Sequence, residues 1–433
     1  MALPASVEAA AAAPPAARRQ VEPLLLALVV GIALFAALVR FPRLQTPSWM
    51  VFDEIYYAKA ARQVLAGQEV TEERTHPPLS KLIIAAGIAA AGDNAVGWRL
   101  PGAVAGVLLV LVVYLLAALL FGDRFIAAAS AMLVALDGLV FVESRIAKPD
   151  IFLTLFLFAA YTAFWTFLRA RSAETVAASG GGHAWLYAAG AAAGCAVATK
   201  WTTVVPLAVI PVTLALALGW GRLRLARRDV RHLAVAFIAV PVVVYLLTYV
   251  PYFVRGHTVA EFVAHQRSMY EFHASLTEGH PYQSAWWSWP LLLRPIWYEY
   301  YEAADGLFRG IVAIGNPIIW WAGLPALAIF AAAAVRARAL PDLFVVLGFA
   351  IAYGQYAFIS RALFLYHFLP AVPFLVLALA AVLARVRAQV GSGVVLIYLL
   401  VAAGWLVAFY PVLSALGVSG DRITRLMWFG SWI

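Results

Sequence analysis

Long apolar runs separated by short polar segments make up most of this chain. Runs of spanning length lie near residues 23–41, 100–120, 126–142, 151–168, 185–199, 203–219, 232–250, 317–335, 343–359, 365–383 and 393–413. An α-helix needs about 20 consecutive, mostly apolar residues to cross a bilayer. The pattern therefore predicts an all-α polytopic membrane protein, a bundle of about 11 transmembrane helices.

Two longer segments, 42–99 and 251–316, interrupt this alternation on the same predicted side of the membrane. The second is rich in aromatic residues, which is typical of segments at the headgroup level, so interfacial helices are expected in both. Residues 1–20 are rich in Ala and Pro and are expected to form a disordered tail. The run 23–41 is long enough to span and no small-residue cleavage site follows it, which disfavours a signal peptide. Residues 21–433 are therefore expected to form one membrane domain.

The composition supports this class, since 64% of the 433 residues are hydrophobic and 12% are charged. If the N-terminus is cytoplasmic, the inner segments hold 14 of the 31 basic residues and six of the 22 acidic ones. Eight of the nine net positive charges then lie inside, which is the asymmetry that membrane insertion favours. These charges lie in short loops between spans, which argues against a nucleic-acid-binding patch.

Several separated segments place ionisable side chains on the predicted outer side. They are the pair Asp53-Glu54 after the first run, THPPLSK with His76 and Lys81, GWRLPG with Arg99, ESRIAKPD with Arg145 and Asp150, ATKWTT with Lys200, and SRALFLYHF with Arg361 and His367. Independent structural features would scatter over both faces of the membrane. Their convergence on one face therefore predicts an active site there.

Each motif also has an ordinary structural explanation. Asp53 could cap an interfacial helix, and His76 could mark a helix that begins at proline. Arg99 could extend its charge to the headgroups, or it could hold a phosphate. The four ionisable groups of ESRIAKPD could neutralise one another, whereas Lys200 needs an anion or the interface.

The sequence contains no Asp-x-Asp motif for holding a nucleotide diphosphate through a divalent metal, and a site outside the cytosol would lack nucleotide sugars. A lipid-linked sugar donor fits better, with its headgroup among cations and its tail in the bilayer. His76 and the carboxylates could ligate a divalent metal, but no tight ligand spacing favours one. No metal or other cofactor is expected to be required.

The order of these motifs resembles the protein O-mannosyltransferase family, membrane enzymes of the GT-C glycosyltransferase class. The resemblance rests on Asp53-Glu54 and on HPPLSK, WRLPG, TKWT, GNPIIWW, RALFLYHFLPAVPF and the final MWFGSWI, and it runs from about residue 42 to the last residue. It is closest in style to actinobacterial members. The chain looks short for the family, chiefly in the second outer segment, and lacks the MIR domain of eukaryotic relatives.

This resemblance implies inverting transfer of mannose from polyprenyl-phosphate-mannose to Ser or Thr of proteins emerging from the Sec translocon, on the outer face of a bacterial cell membrane. It implies that Asp53 is the catalytic carboxylate with Glu54 as its acidic neighbour. Arg99 and Lys200 are expected to hold the donor phosphate, with Arg361 and Arg145 as further candidates. The expected residues lining the site near the acceptor are His76, Asp150 and His367.

Two alternatives remain open at this stage. Another lipid-dependent GT-C transferase, such as one that moves aminoarabinose to a glycolipid, would keep the fold and the base and change the sugar and the acceptor. A transporter would line a pathway with charges, but transporters usually show paired halves and charges in mid-span. Neither feature is evident here.

Overall fold

The apolar runs form long helices in the computed structural model, which describes residues 15–172, 182–223, 225, 227–276 and 278–433. The helices are α1 Pro15–Arg40, α2 Glu54–Leu65, α3 Leu79–Ala91, α4 Ala95–Phe121, α5 Arg124–Ala135, α6 Gly138–Glu143, α7 Asp150–Ser172, α8 His183–Thr199, α9 Val204–Leu207, α10 Val209–Gly219, α11 Arg227–Ala234, α12 Val240–Thr248, α13 Val250–Val254, α14 Val259–Ser275, α15 Pro317–Ala337, α16 Leu340–Gly354, α17 Val372–Val390, α18 Ser392–Leu413 and α19 Gly420–Leu426. Short 3-10 or π turns extend several of them.

Nine helical stretches within the described ranges are long and apolar enough to cross a membrane. All eleven predicted runs are helical over most of their length, so the predicted multi-pass helical bundle is confirmed. The run 126–142 is not one helix, because Asp137 ends α5 and caps α6 by accepting a hydrogen bond from Val140 N at 3.0 Å. Asp137 also accepts from Asn316 N at 3.1 Å and from Trp320 Nε1 at 2.7 Å. The break is thus satisfied inside the protein.

The expected disordered tail needs a correction at its end. Residues 1–14 lie outside the described residues, but α1 begins at Pro15, so residues 15–20 are helical. Proline suits the first turn of a helix, and the Ala and Arg residues that follow are strong helix formers.

The two long outer segments contain α2 and α3 in the first and α14 in the second. The second also forms an antiparallel hairpin, β1 Ile296–Glu302 with β2 Phe308–Ala313, which the sequence analysis did not predict. Its first strand, IWYEYYE, is rich in aromatic residues with high β propensity. Trp297 Nε1 donates to Trp432 O at 2.7 Å, so the hairpin is fastened to the last turn of the chain.

Among the candidate membrane spans of the described residues, the most buried are those formed by α7 and α17, which lie inside the bundle. Asp150 begins α7, and a buried 3-10 turn over Leu365–Ala371 leads into α17. Lys200 follows the last residue of α8. These three helix ends lie under the first outer segment, and their polar side chains meet there.

Candidate active site

A cavity of about 230 Å³ lies where these helix ends meet the two outer segments. Of the nine predicted site residues, six line it: Asp53, His76, Asp150, Lys200, Arg361 and His367. They come from five separate parts of the chain, since Arg361 and His367 share one segment. The predicted convergence of ionisable groups is therefore seen in the structure for these six.

Asp53 is set at the start of α2 by a sharp turn. Phe52 before it has φ 47°, a left-handed conformation that is uncommon for a residue with a side chain. Asp53 occupies the N-cap position of α2, yet its side chain makes no capping hydrogen bond. Among the described residues, none donates a hydrogen bond to its carboxylate or forms an ion pair with it. Asp53 therefore does not cap the helix through its side chain, and it lines the cavity instead.

Burial raises the pKa of Asp53 above its ordinary value. The positive charge of Lys148 lowers that pKa, Asp150 raises it, and Lys200 and His76 lower it. The carboxyl group is thus a stronger base than an exposed aspartate, and neighbouring cations oppose its protonation.

Glu54 is buried beside Asp53 and is fully engaged in an ion pair. Arg99 donates from Nε to Glu54 Oε1 and from Nη2 to Glu54 Oε2, each at 2.8 Å. Glu54 also accepts from the backbone N of Val51 at 3.0 Å and of Ala147 at 2.9 Å. This bidentate pair fixes the turn that presents Asp53.

The geometry contradicts the phosphate-binding role expected for Arg99. Its other three N–H groups donate to the carbonyls of Leu44, Pro47 and Trp49 at 2.7–2.9 Å. All five guanidinium donors are therefore used, and the side chain is 1% exposed. Arg99 and Glu54 stabilise the structure here, and neither lines the cavity.

Arg145 is also misplaced for the donor-phosphate role expected of it. Its Nη1 donates to the carbonyls of Arg40 and Pro42, and its Nη2 to that of Arg43 at 3.4 Å. The side chain is buried and braces the end of α1, away from the cavity lining.

Asp150 joins two lysines on the cavity wall. Lys200 Nζ lies 3.0 Å from Asp150 Oδ1, and Lys148 Nζ lies 3.4 Å from Asp150 Oδ2. The ring of Tyr366 lies beside both, with its centroid 3.3 Å from Lys148 Nζ and 5.6 Å from Lys200 Nζ. Lys148 was not among the predicted site residues, although the ESRIAKPD motif contains it.

Arg361 is tied to the first outer segment through a histidine. Its Nη1 lies 3.1 Å from His273 Nδ1, and His273 Nε2 lies 2.8 Å from Thr75 O. Burial lowers the pKa of His273 to about 4, helped by the charges of His76 and Arg361. His273 is therefore neutral at pH 7, accepting from Arg361 and donating to Thr75. It was missed because nothing in its local sequence marks it.

His76 is held by a buried carboxylate that sequence reasoning also missed. Its Nδ1 lies 3.1 Å from Glu73 Oε1, and Lys81 Nζ lies 2.5 Å from Glu73 Oε2. Burial acts to raise the pKa of Glu73, but Lys81 and His76 outweigh it, so the pKa lies below its ordinary value. Burial lowers the pKa of His76 itself. His76 is thus held at Nδ1 by Glu73, and among the described residues none forms a hydrogen bond with its Nε2.

His367 completes the wall between aromatic rings. Its centroid lies 4.5 Å from that of Tyr366 and 6.0 Å from that of Trp289. Its Nδ1 lies 3.1 Å from Phe364 N. A second, more open cavity of about 480 Å³ adjoins the first, and Arg361 and Glu278 line both. Gln283, Ser284 and Ser360 add polar groups to it.

Within the part of the chain that the structure describes, no group of three or more His, Cys, Asp and Glu side chains is arranged to hold a metal ion. The positive charges that line the first cavity are those of Lys200 and Arg361. A cavity with a free carboxylate and two cations can take a proton from a hydroxyl and hold an anion.

Two family models together match most of the chain. The model described as dolichyl-phosphate-mannose-protein mannosyltransferase matches residues 30–255. The model of the C-terminal four-helix region of protein-O-mannosyltransferase matches residues 258–432.

Curated relatives match over nearly their full length. The polyprenol-phosphate-mannose–protein mannosyltransferase of Mycobacterium tuberculosis is 30% identical over 94% of this chain and 91% of its own. That of Mycolicibacterium smegmatis is 28% identical over 94% and 92%. The alignments run over 478 and 479 positions, more than the 433 residues here, so these relatives contain segments that this chain lacks.

Solved structures share the fold at lower identity. The Saccharomyces cerevisiae Pmt1-Pmt2 complex bound to its sugar donor matches with a TM-score of 0.79 and 16% identity, over 94% of this chain and 92% of that one. ArnT of Cupriavidus metallidurans bound to undecaprenyl phosphate matches at 0.60 and 21%, over 89% and 64%. These likenesses show the GT-C fold, and the family models and relatives confirm the resemblance drawn from the motifs: the chain belongs to the dolichyl-phosphate-mannose–protein mannosyltransferase family.

Proposed function

We propose that this protein transfers mannose from polyprenyl-phosphate-mannose to Ser and Thr hydroxyls of proteins, with inversion at the anomeric carbon. The observation that carries the proposal is the unpaired carboxylate of Asp53, which faces a cavity also lined by Lys200 and Arg361. The names of the bacterial relatives support the donor and the protein acceptor.

Asp53 acts as the general base. The acceptor hydroxyl attacks C1 of mannose, its proton passes to Asp53, and the bond from C1 to the phosphate oxygen breaks on the opposite face. One negative charge therefore leaves Asp53 and one appears on the departing polyprenyl phosphate. No covalent enzyme intermediate forms, and a neutralised phosphate needs no separate acid to leave.

Lys200 and Arg361 hold the donor phosphate and stabilise the charge that it gains. Each is itself oriented, Lys200 by Asp150 at 3.0 Å and Arg361 by His273 at 3.1 Å. Replacing either cation should raise the donor KM. His76, which Glu73 holds at Nδ1, lines the cavity with Asp53 and orients the acceptor hydroxyl.

The acceptor polypeptide reaches Asp53 through the second cavity. Its lining of Glu278, Gln283, Ser284 and Ser360 offers hydrogen bonds that suit a polypeptide better than a polyprenyl chain. The donor's tail lies instead in the bilayer beside the helices.

The active site faces the outside of a bacterial cell membrane, with the N-terminus in the cytoplasm. The distribution of basic residues supports this orientation, and the mycobacterial relatives support the bacterial setting. On this face of the membrane the enzyme binds acceptor proteins while they are still extended, as they emerge from the Sec translocon.

No divalent metal is required in this proposal, because the two cationic side chains supply the positive charge that the leaving phosphate needs. Transfer by the purified protein after exhaustive chelation tests this directly. Activity that vanishes with chelation and returns with one metal would overturn that part.

The test of the whole proposal uses purified protein with radiolabelled polyprenyl-phosphate-mannose. A Thr-rich peptide and a glycolipid are supplied in parallel, because a GT-C transferase that acts on a glycolipid is the alternative that the sequence left open. Label is expected in the peptide, with release of polyprenyl phosphate only when the peptide is present. Label in the glycolipid alone would favour the other class of transferase, and no release in either case would favour transport.

A further inference from the structure

Lys148 lies directly behind the cavity wall and has no solvent exposure. Its Nζ lies 3.1 Å from Tyr298 Oη and 3.4 Å from the nearest oxygens of Glu143 and Asp150. The rings of Tyr366, Tyr298 and Phe52 surround it, with centroids at 3.3, 4.9 and 5.5 Å. The ammonium is thus enclosed by three aromatic rings and two carboxylates.

A buried charge of this kind is costly unless it is fully paired. Aromatic faces and carboxylates are the groups that attract a desolvated cation. Glu143 is buried as well, and it accepts a short hydrogen bond from Tyr298 Oη. Lys148 serves as the counter-ion of buried Glu143 and Asp150, and the position of this cluster against the cavity wall points to a functional role as well.

The cluster connects Lys148 to the base. Asp150 and Tyr366, which Lys148 contacts, line the same cavity as Asp53. Phe52, whose ring centroid lies 5.5 Å from Lys148 Nζ, directly precedes Asp53 in the chain. The charged or titratable groups that face Asp53 are Lys148, Asp150, Lys200 and His76. Burial favours the protonated form of Asp53, in which it cannot accept a proton.

We propose that Lys148 is a positioning residue whose buried positive charge keeps Asp53 ionised without touching substrate. Lys200 differs from Lys148 because it lines the cavity, where the proposed function has it bind the donor phosphate, whereas Lys148 is fully buried behind the wall. The groups around Lys148 itself are Glu143, Asp150, Tyr298 and Tyr366. This inference rests on the proposed role of Asp53 in mannosyl transfer.

The experiment measures the pH dependence of kcat/KM for peptide mannosylation. Lys148→Met alone would leave Glu143 buried without a cation, so the variant used is Lys148→Met with Glu143→Gln, which removes both charges together. Its acid limb should move to higher pH by about one unit or more, the usual effect of losing a close opposite charge. Above that limb, the rate should return to within a few-fold of the wild type.

Glu143→Gln alone is the matched control, since it changes the same cluster and keeps the lysine. Its acid limb should stay in place or move to lower pH. A double variant that is slower by the same factor at every pH, or a control that shifts as far as the double variant, would overturn the role of Lys148. A wild-type protein that transfers no mannose would overturn the proposed function instead, so the two failures are distinguishable.

Discussion

The adjacent carboxylates of Asp53 and Glu54 lie in different environments. Glu54 is fully buried and its carboxylate accepts four hydrogen bonds. Asp53 is partly exposed, and its carboxylate accepts no hydrogen bond from the described residues. The two residues are successive at the start of α2, and successive side chains of a helix point about 100° apart, so Glu54 meets Arg99 while Asp53 lines the cavity. A general base must keep its oxygens available, and a buried carboxylate pinned by Arg99 cannot.

Asp53→Asn should keep the fold and donor binding and should lower kcat by roughly two to four orders of magnitude, the usual contribution of a general base. Single-turnover transfer to a Thr-rich peptide, together with donor binding by the same preparation, measures both effects. The isosteric amide keeps size and polarity but cannot take the proton. Transfer at near the wild-type rate would remove Asp53 from that role.

Arg99→Ala should destabilise the protein and should leave the donor KM of any folded fraction close to that of the wild type. Removing one partner of a buried ion pair costs about 3–5 kcal/mol, because the other charge is left unpaired. Thermal unfolding in detergent and donor titration separate the two effects.

Lys200→Met is the matched control for Arg99, since it removes a cation that lines the cavity. It should raise the donor KM with a smaller effect on unfolding, because Asp150 keeps a second cation, Lys148, at 3.4 Å. The reverse pattern, a stable Arg99→Ala with weak donor use and a Lys200→Met with normal use, would restore Arg99 to the phosphate site.

At the scale of elements, local hydrophobic patterning was enough to place the spans, because a lipid-solvated helix needs only its own apolar length. Contacts between residues far apart in the sequence could not be predicted from this local pattern. The break at Asp137 depends on Asn316 and Trp320, and β2 is joined to the rest through Phe308 and Val418. The motifs indicated which segments hold the site. They could not show that Arg361 lines the cavity and Arg99 does not, because that depends on three-dimensional contacts.

The packing of α8 offers a prediction at this scale, since α8 carries Lys200 at its end. A Cβ added at Gly190 would lie 1.8 Å from Ala236 O, so α8 and the 235–239 turn would have to separate. Gly190→Ala should therefore destabilise the protein by about 1–3 kcal/mol, as overpacking usually does. Displacement of Lys200 should also raise the donor KM.

Gly404→Ala in α18 is the control, because a Cβ there meets nothing within 4 Å. Its unfolding temperature should be unchanged or slightly higher, since alanine favours a helix over glycine. Equal unfolding temperatures for the two variants would show that α8 does not need the close approach at Gly190.

At the scale of the whole molecule, the chemistry is confined to one end of the bundle. The bundle itself presents exposed apolar residues suited to lipid, such as Leu24, Val243 and Val407. The segments 42–99 and 251–316 carry Asp53, the pairs that hold it in place and part of the wall of the second cavity. An enzyme that joins a lipid-borne donor to a water-borne acceptor needs this arrangement, with reacting groups where the two phases meet.

The orientation of that end can be tested with two matched cysteines in a Cys195→Ser background, since Cys195 is the chain's one cysteine. Ala304→Cys lies exposed at the hairpin turn of the second outer segment, and Ala337→Cys lies exposed at the end of α15. An impermeant maleimide should label Ala304→Cys on intact cells and Ala337→Cys only after permeabilisation. The distribution of basic residues requires this order, because Arg336 and Arg338 flank Ala337 and should remain inside. The reverse order of labelling would place Asp53 in the cytoplasm, where a secreted acceptor could not reach it, and would refute the proposed orientation.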